Sequence, residues 1–205
     1  MNRFIVSLLA LATLAAPLAL AQDAPKSIAL GASIPSDRVA MKNVDGKMLT
    51  IDSVKGAKGT LVIFTCNHCP YVKAWEKRIT ELGNSFAKQG IGVIAINSND
   101  PGRSEEDDFD GMVTRAKDLG LQFPYVVDEG SVVAKAFGAS KTPEAFLFDA
   151  KGKLVYHGTI DDNVKEPEKV EKRWLKDALT AVAAGQAPAV QETKALGCGI
   201  KFKES

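Results

Sequence analysis

The stretch Thr60-Leu61-Val62-Ile63-Phe64-Thr65-Cys66-Asn67-His68-Cys69-Pro70 decides how the chain is read. Thr60–Thr65 is a continuous apolar, β-rich run, the pattern of a strand buried on both faces. Beyond it Val72, Trp75, Ile79, Leu82 and Phe86 recur at helical spacing and form one apolar stripe. Pro70 suits the first turn of that helix, and Gly90 lies just past its end. Two cysteines therefore stand at a junction between a buried strand and an amphipathic helix. One helical turn separates them, so their sulfurs can bond and part again. Unpaired N–H groups at the helix start favour a thiolate. This reading makes Cys66 the attacking sulfur, with His68 tuning it, and Cys69 the more buried sulfur that resolves a mixed disulfide. Replacing His68 by Ala is then expected to raise the Cys66 pKa and to make the disulfide more reducing.

Working outward, Ile91–Ile96 reads as a second buried strand. After the loop Asn97–Gly102, a helix carries Phe109, Met112, Val113, Ala116 and Leu119 on one face. Ser104 and Asp107 resemble its capping box, and Gly120 its stop. The acids Glu105, Glu106, Asp107, Asp108 and Asp110 read as first-turn carboxylates that complement the helix dipole. Tyr125–Asp128 reads as a short strand and Val132–Phe137 as a short helix. Ala145–Phe148 and Lys153–Tyr156 flank a turn at residues 149–152. A final helix opens near Pro167 and ends before Gly185. Upstream, Asp45-Gly46 marks a hairpin. The order gives an α/β domain with a mixed central sheet flanked by helices, an extra N-terminal hairpin and a central helical insertion.

The 205 residues are 45% hydrophobic and 25% charged, with 26 basic and 25 acidic groups and a net charge of +1. That is an ordinary globular composition, and it argues against a nucleic-acid partner. Residues 1–21 read as a secretory signal: Arg3, an apolar run from Phe4, and Ala19-Leu20-Ala21 as the cleavage pattern. No later stretch is apolar enough to span a membrane. The expected organisation is a signal peptide at 1–21, a flexible leader at 22–33, the domain at 34–185, and a tail at 186–205 without clear periodicity. The expected location is periplasmic or secreted, where disulfides persist.

The chain has three cysteines and two histidines. Zinc would need a second ligand pair at similar spacing, and only His157 and Cys198 remain, so no metal is assigned. Cys198, in Gly197-Cys198-Gly199, is a candidate third redox thiol that reaches back to Cys66 or Cys69. His157 reads as a solvated strand residue. Thr142-Pro143, just before the late hairpin, is a candidate cis bond whose preceding backbone could pair with a substrate strand.

Together, Cys66, Cys69 and Thr142-Pro143 resemble the thioredoxin superfamily, over roughly Pro35 to Gly185. The hairpin and the insertion look closest to its peroxiredoxin-like branch, which includes the TlpA/ResA-type redoxins. Asn67–Lys73 and Thr193–Cys198 look like a bacterial group of thioredoxin-family proteins. The resemblance implies a thiol–disulfide oxidoreductase whose only cofactor is the Cys66–Cys69 disulfide. Thr142 and Pro143 would dock the substrate backbone. The implied partners are a cysteine-containing protein substrate and a redox protein that gives or takes thiols.

There are departures. Thr65 stands where thioredoxins have Trp, and Asn67-His68 where they have Gly-Pro. His before the second cysteine is similar to the disulfide oxidase DsbA. Against the peroxiredoxin pattern Pro-x-x-x-Thr-x-x-Cys, with Cys69 as the peroxidatic residue, Val62 replaces Pro and Cys66 replaces Thr. Two alternatives remain. One is a thiol peroxidase using Cys69, resolved by Cys66 or Cys198. The other is a copper-binding thioredoxin-fold chaperone using the two cysteines and His157.

Overall fold

The computed structural model describes residues 26–203; the expected signal segment lies outside them. Nine strands and four α-helices are assigned among the described residues. A seven-stranded sheet runs in the order β2-β1-β5-β4-β3-β7-β8, where β1 is Met41–Asn43, β2 Met48–Leu49, β3 Gly59–Thr65, β4 Ile91–Asn97, β5 Tyr125–Val127, β7 Glu144–Asp149 and β8 Leu154–Gly158. β3, β4 and β5 are parallel. β7 joins β3 antiparallel, and β8 closes that edge. The β1–β2 hairpin closes the other edge, antiparallel to β5. The apolar run around Ile63 is thus the central strand, paired on both sides, which is why it shows no polar alternation.

The period-two alternation of β3 and β7 divides the core. Leu61, Ile63, Ala145 and Leu147 point to one face, with Trp75, Ile79 and Phe86 of α1 (Pro70–Ala87), Met112 and Ala116 of α2 (Phe109–Leu119), and Leu175, Leu179 and Val182 of α4 (Trp174–Ala183). Val62, Phe64, Phe146 and Phe148 point to the other, with Val133, Ala134 and Phe137 of α3 (Val132–Phe137). Phe64, Phe137 and Phe146 meet edge to face at centroid distances of 5.2–5.7 Å. The two faces of β3 therefore hold both cores, and the strand leads directly into Cys66.

Several local expectations are corrected. α2 is not capped by Ser104 and Asp107. A 3-10 turn occupies Glu105–Asp107, and Asp108 is the N-cap, its carboxylate accepting from Gly111 N–H at 2.7 Å. Gly120 ends the helix as expected, in the left-handed conformation that glycine adopts without cost. The last helix opens at Trp174, not near Pro167. Pro167 starts only a 3-10 turn, after which Glu171 N–H bonds the Asp162 carboxylate and Asp162 N–H the Lys172 carbonyl, holding the chain out of helix.

The described part of the leader is not loose. Ile28 N–H bonds Phe137 O at 3.0 Å, Gly31 N–H bonds Leu154 O at 2.8 Å, and Ser33 bridges Lys153. Nor is the tail free. Its β9 (Cys198–Gly199) forms a two-stranded ladder with β6 (Lys141–Thr142), and Ile200 is buried against the α3-side core.

Candidate functional site

The site forms where β3 ends. Cys66 is 2% exposed and Cys69 0% exposed. Cys69, not Cys66, is the N-cap of α1, because Pro70 takes the first helical position and Cys66 remains in the turn before it. The turn is fastened by its neighbour, the 105–107 turn. Asn67 N–H donates to Asp107 Oδ1 at 2.6 Å, and Asn67 Nδ2 to Glu106 O at 2.7 Å. Tyr125 Oη donates to Asn67 Oδ1 at 3.0 Å. Asn67, read from sequence only as a spacer, is thus the residue that fixes the cysteine turn.

Asp107 is the main residue that sequence reasoning missed. Its carboxylate is buried and also meets His68 Nδ1 at 2.5 Å and Asn99 Nδ2 at 2.9 Å. Burial works against its charge. The Asn67 N–H and the Asn99 and Ser104 side chains outweigh burial and hold the carboxyl below its ordinary value. Its place inside an acidic run concealed it: five carboxylates within six residues read as a helix start, and nothing in their spacing marks the one that turns inward. Cys66, His68 and Asp107 bring one ligating atom each within 4.8 Å of one another. His157 does not join that group. It is buried, contrary to the expected solvated position, with Nε2 2.7 Å from Glu144 Oε1 and its ring stacked on Phe146 at 4.4 Å. The two-cysteine-plus-His157 copper arrangement is therefore not assembled.

Thr142-Pro143 is a cis bond, as the sequence suggested. Thr142 lies against both thiols: its Oγ1 is 3.3 Å from Cys66 Sγ, and its carbonyl accepts from Cys69 Sγ at 3.1 Å. The third thiol arrives from the tail. Cys198 Sγ is 2.6 Å from Cys69 Sγ, and all three cysteines are free. The three sulfurs predicted from far-separated positions are thus brought together, with Cys69 in the middle.

The thiols differ in acidity, and not in the order expected. The Cys66 thiol is pushed up by its hydrogen bond to Cys69, by burial and by the nearby Asp107 carboxylate. Cys69 is lowered to about 4, chiefly by the hydrogen bond from Cys66, which outweighs burial, with a further bond from Cys198. Cys198 is raised to about 11 by burial and by Cys69. Cys69 also stands as the N-cap of α1, one residue before Pro70. A cavity of about 780 Å³ lies between α1 and α4, lined by Arg78, Arg173 and Lys176 among others, and none of the cysteines lines it.

The fold and this site define a thioredoxin-like redoxin. The chain belongs to the AhpC/TSA family, which matches residues 30–157. It is 28% identical over 115 residues to the thiol-disulfide oxidoreductase ResA of Halalkalibacterium halodurans, covering 56% of this chain and 61% of that protein. The structure of an uncharacterized conserved protein from Geobacillus kaustophilus is similar with a TM-score of 0.80 and 36% identity, over 86% of this chain and 94% of that one. A hypothetical protein from Sinorhizobium meliloti 1021 gives 0.79 and 32%, over 88% and 98%. A thioredoxin-like protein solved in its oxidized form shares the fold, at a TM-score of 0.61 and 20% identity, over 78% of this chain and 99% of that one.

Proposed function

We propose that this protein is an exported thiol–disulfide oxidoreductase in which Cys66 and Cys69 form the redox couple. The observation that carries this reading is the convergence of both sulfurs on Thr142, at 3.3 and 3.1 Å, beside Pro143. A couple needs two sulfurs close together, one of them ionised, and an adjacent backbone to hold a substrate. Both sulfurs contact Thr142, Cys69 is the lowered thiol, and the Thr142-Pro143 backbone adjoins them. Cys69, the lowered thiol, attacks a substrate disulfide; the mixed disulfide forms and the substrate's second sulfur leaves as a thiolate. Cys66 then attacks Cys69, releasing the reduced substrate and leaving Cys66–Cys69 as the oxidised cofactor. This order reverses the sequence expectation and rests on Cys69 as the lowered thiol that Cys66 and Cys198 both contact. His68 and Asp107 set the charge beside Cys66, and Thr142 and Pro143 dock the substrate. The partners are a cysteine-bearing protein substrate and a second redox protein. Export rests on the apolar segment 1–21. No helix among the described residues is long and apolar enough to cross a membrane.

A redox titration with alkylation, locating each cysteine by mass, tests the reading. A two-thiol couple at Cys66–Cys69 is expected. A potential of about −120 to −180 mV assigns disulfide formation or isomerisation, and one near about −270 mV assigns reduction. If neither cysteine titrates, the reading fails.

One observation favours a second reading, thiol peroxidase: the lowered thiol is Cys69, at the peroxidatic position. Against it, Cys66 replaces the peroxide-positioning hydroxyl. Arg115, which shares a small cavity with Cys66, is paired to Glu76. Stopped-flow oxidation of the reduced protein by hydrogen peroxide decides: a rate no faster than that of free cysteine removes this reading.

A further inference from the structure

β9 pairs antiparallel with β6, and the register sets Cys198 opposite Thr142 and Gly199 opposite Lys141. That edge, next to Pro143, is where the proposed function places a substrate strand. The tail approaches it so closely that a Cβ on Gly197 would lie 2.1 Å from Thr142 O. Beyond β9, Ile200 N–H bonds Ser140 O at 3.0 Å and Lys201 N–H bonds Asn99 Oδ1 at 2.8 Å. Before it, Thr193 is tied to His157 O and Tyr156 Oη, both at 3.0 Å. Cys198 is thus delivered to Cys69 by anchors on both sides rather than by chance contact of a loose end.

Resting on the proposed couple, we infer that β9 is a tethered surrogate for the substrate: an extended cysteine-bearing strand that fills the docking edge, exchanges disulfides with Cys69, and must leave before a protein substrate can pair with Lys141–Thr142. The substrate it stands in for is likewise an extended segment with a cysteine opposite Thr142 and a small residue before it, where Gly197 sits.

The exchange conserves electrons. In the oxidised protein the Cys198 thiolate attacks Cys69 Sγ; the Cys69–Cys198 bond forms, the Cys66–Cys69 bond breaks, and Cys66 leaves as a thiolate that takes up the proton Cys198 gave to water. Cys69 stays in a disulfide throughout, while Cys66 and Cys198 alternate as the free thiol.

The test uses the full mature chain, wild type and Gly197→Ala. Peptide mapping of wild type under non-reducing conditions, across a glutathione series, is expected to find Cys66–Cys69 and Cys69–Cys198 linkages together. In Gly197→Ala the added methyl lifts β9 from Thr142. The Cys69–Cys198 linkage is expected to fall, and reduction of insulin with dithiothreitol as donor to rise by about tenfold if the edge is free only about a tenth of the time in wild type. Reaction with dithiodipyridine, too small to need the edge for docking, is expected to change less than the insulin rate.

A Cys66–Cys69 couple with no Cys198 linkage at any poise overturns the inference and leaves the proposed function standing. So does an insulin rate unchanged in a folded Gly197→Ala protein. The mapping of wild type decides even if that variant does not fold. A chain in which no disulfide forms overturns both.

Discussion

His68 Nδ1 and Asp107 Oδ2 lie 2.5 Å apart, with Asp107 buried and His68 partly exposed at the mouth of the site. The pair joins the cysteine turn to the 105–107 turn, and it does so within 4.8 Å of Cys66 Sγ. The carboxylate raises the Cys66 thiol, and His68 is bonded to that carboxylate.

His68→Ala removes a hydrogen-bond partner of the Asp107 carboxylate, and that carboxylate is then expected to raise the Cys66 thiol further and to slow its attack on the Cys69 mixed disulfide. Asp107→Asn removes the repulsion, so the Cys66 thiol falls and that attack is expected to quicken. It also weakens the Asn67 and Asn99 bonds, at a cost of about 1–3 kcal/mol. Thiol titrations and single-turnover rates of both variants check the signs. Shifts in the same direction would remove the pair from the account.

How much of this was legible in the sequence depends on whether the information was local. The strand through Ile63, the helix carrying Trp75, and the paired cysteines are each periodic or contiguous, and each is found where the pattern put it. Thr142-Pro143 was visible as a candidate cis bond and substrate dock, and the fold added its contacts to both thiols. Asp107 was not legible, because a carboxylate in an acidic run looks the same whether it faces water or a backbone N–H. Pro70 was seen to begin the helix, and the cap it implies, Cys69, was not drawn from it. The tail was read as aperiodic, and it is. Its order comes from β6, from Asn99 and from Ile200 entering the core, contacts at long sequence range that no local pattern records.

The acidity of Cys69 predicts a pH dependence. Its folded thiol is lowered to about 4, against about 8.5 for an unfolded cysteine. Between those values the unfolded chain binds a proton that the reduced folded chain does not, so the stability of the reduced protein rises with pH across that window. The contribution is fully present above about pH 8.5 and is lost as pH falls toward 4. Thiolate absorbance at 240 nm is expected to show one thiolate persisting down to about pH 4. Melting of reduced against oxidised protein from pH 5 to 8 is expected to favour the reduced form increasingly. A single titration near the ordinary thiol value would assign the thiolate elsewhere.

A separate prediction concerns what holds α1 in place. Asp161 is buried and accepts from Trp75 Nε1 at 2.8 Å and from Arg78 Nη1 at 2.5 Å. Asp161→Ala leaves the indole N–H without its acceptor and the largely buried Arg78 guanidinium without its counter-charge, bonded only to backbone carbonyls including those of Asn163 and Val164. The expected loss is about 3 kcal/mol, or roughly 6–12 °C in Tm for a chain of this size. Calorimetry measures it. The Cys66–Cys69 potential is expected to stay unchanged, since Asp161 acts on the far side of α1. A moved potential with an unmoved Tm would contradict this division of labour.

Thr142 separates two contributions that the fold places on one residue. Its carbonyl receives Cys69, while its hydroxyl meets Cys66 Sγ and lowers that thiol against burial. Thr142→Val keeps the β-branched shape, the carbonyl and the ladder to Cys198, and deletes only the hydroxyl. The Cys66 thiol is therefore expected to rise and to resolve the Cys69 mixed disulfide more slowly, while Cys69 still titrates near its wild-type position. Asp107→Asn moves Cys66 the other way. If both act through Cys66 alone, the double variant shows a Cys66 titration close to the sum of the two shifts, because the residues do not share a partner other than the sulfur. A strongly non-additive result would mean that Thr142→Val had moved the β6 edge itself, and the loss of Cys198 from its ladder, read by faster alkylation of Cys69, would show it.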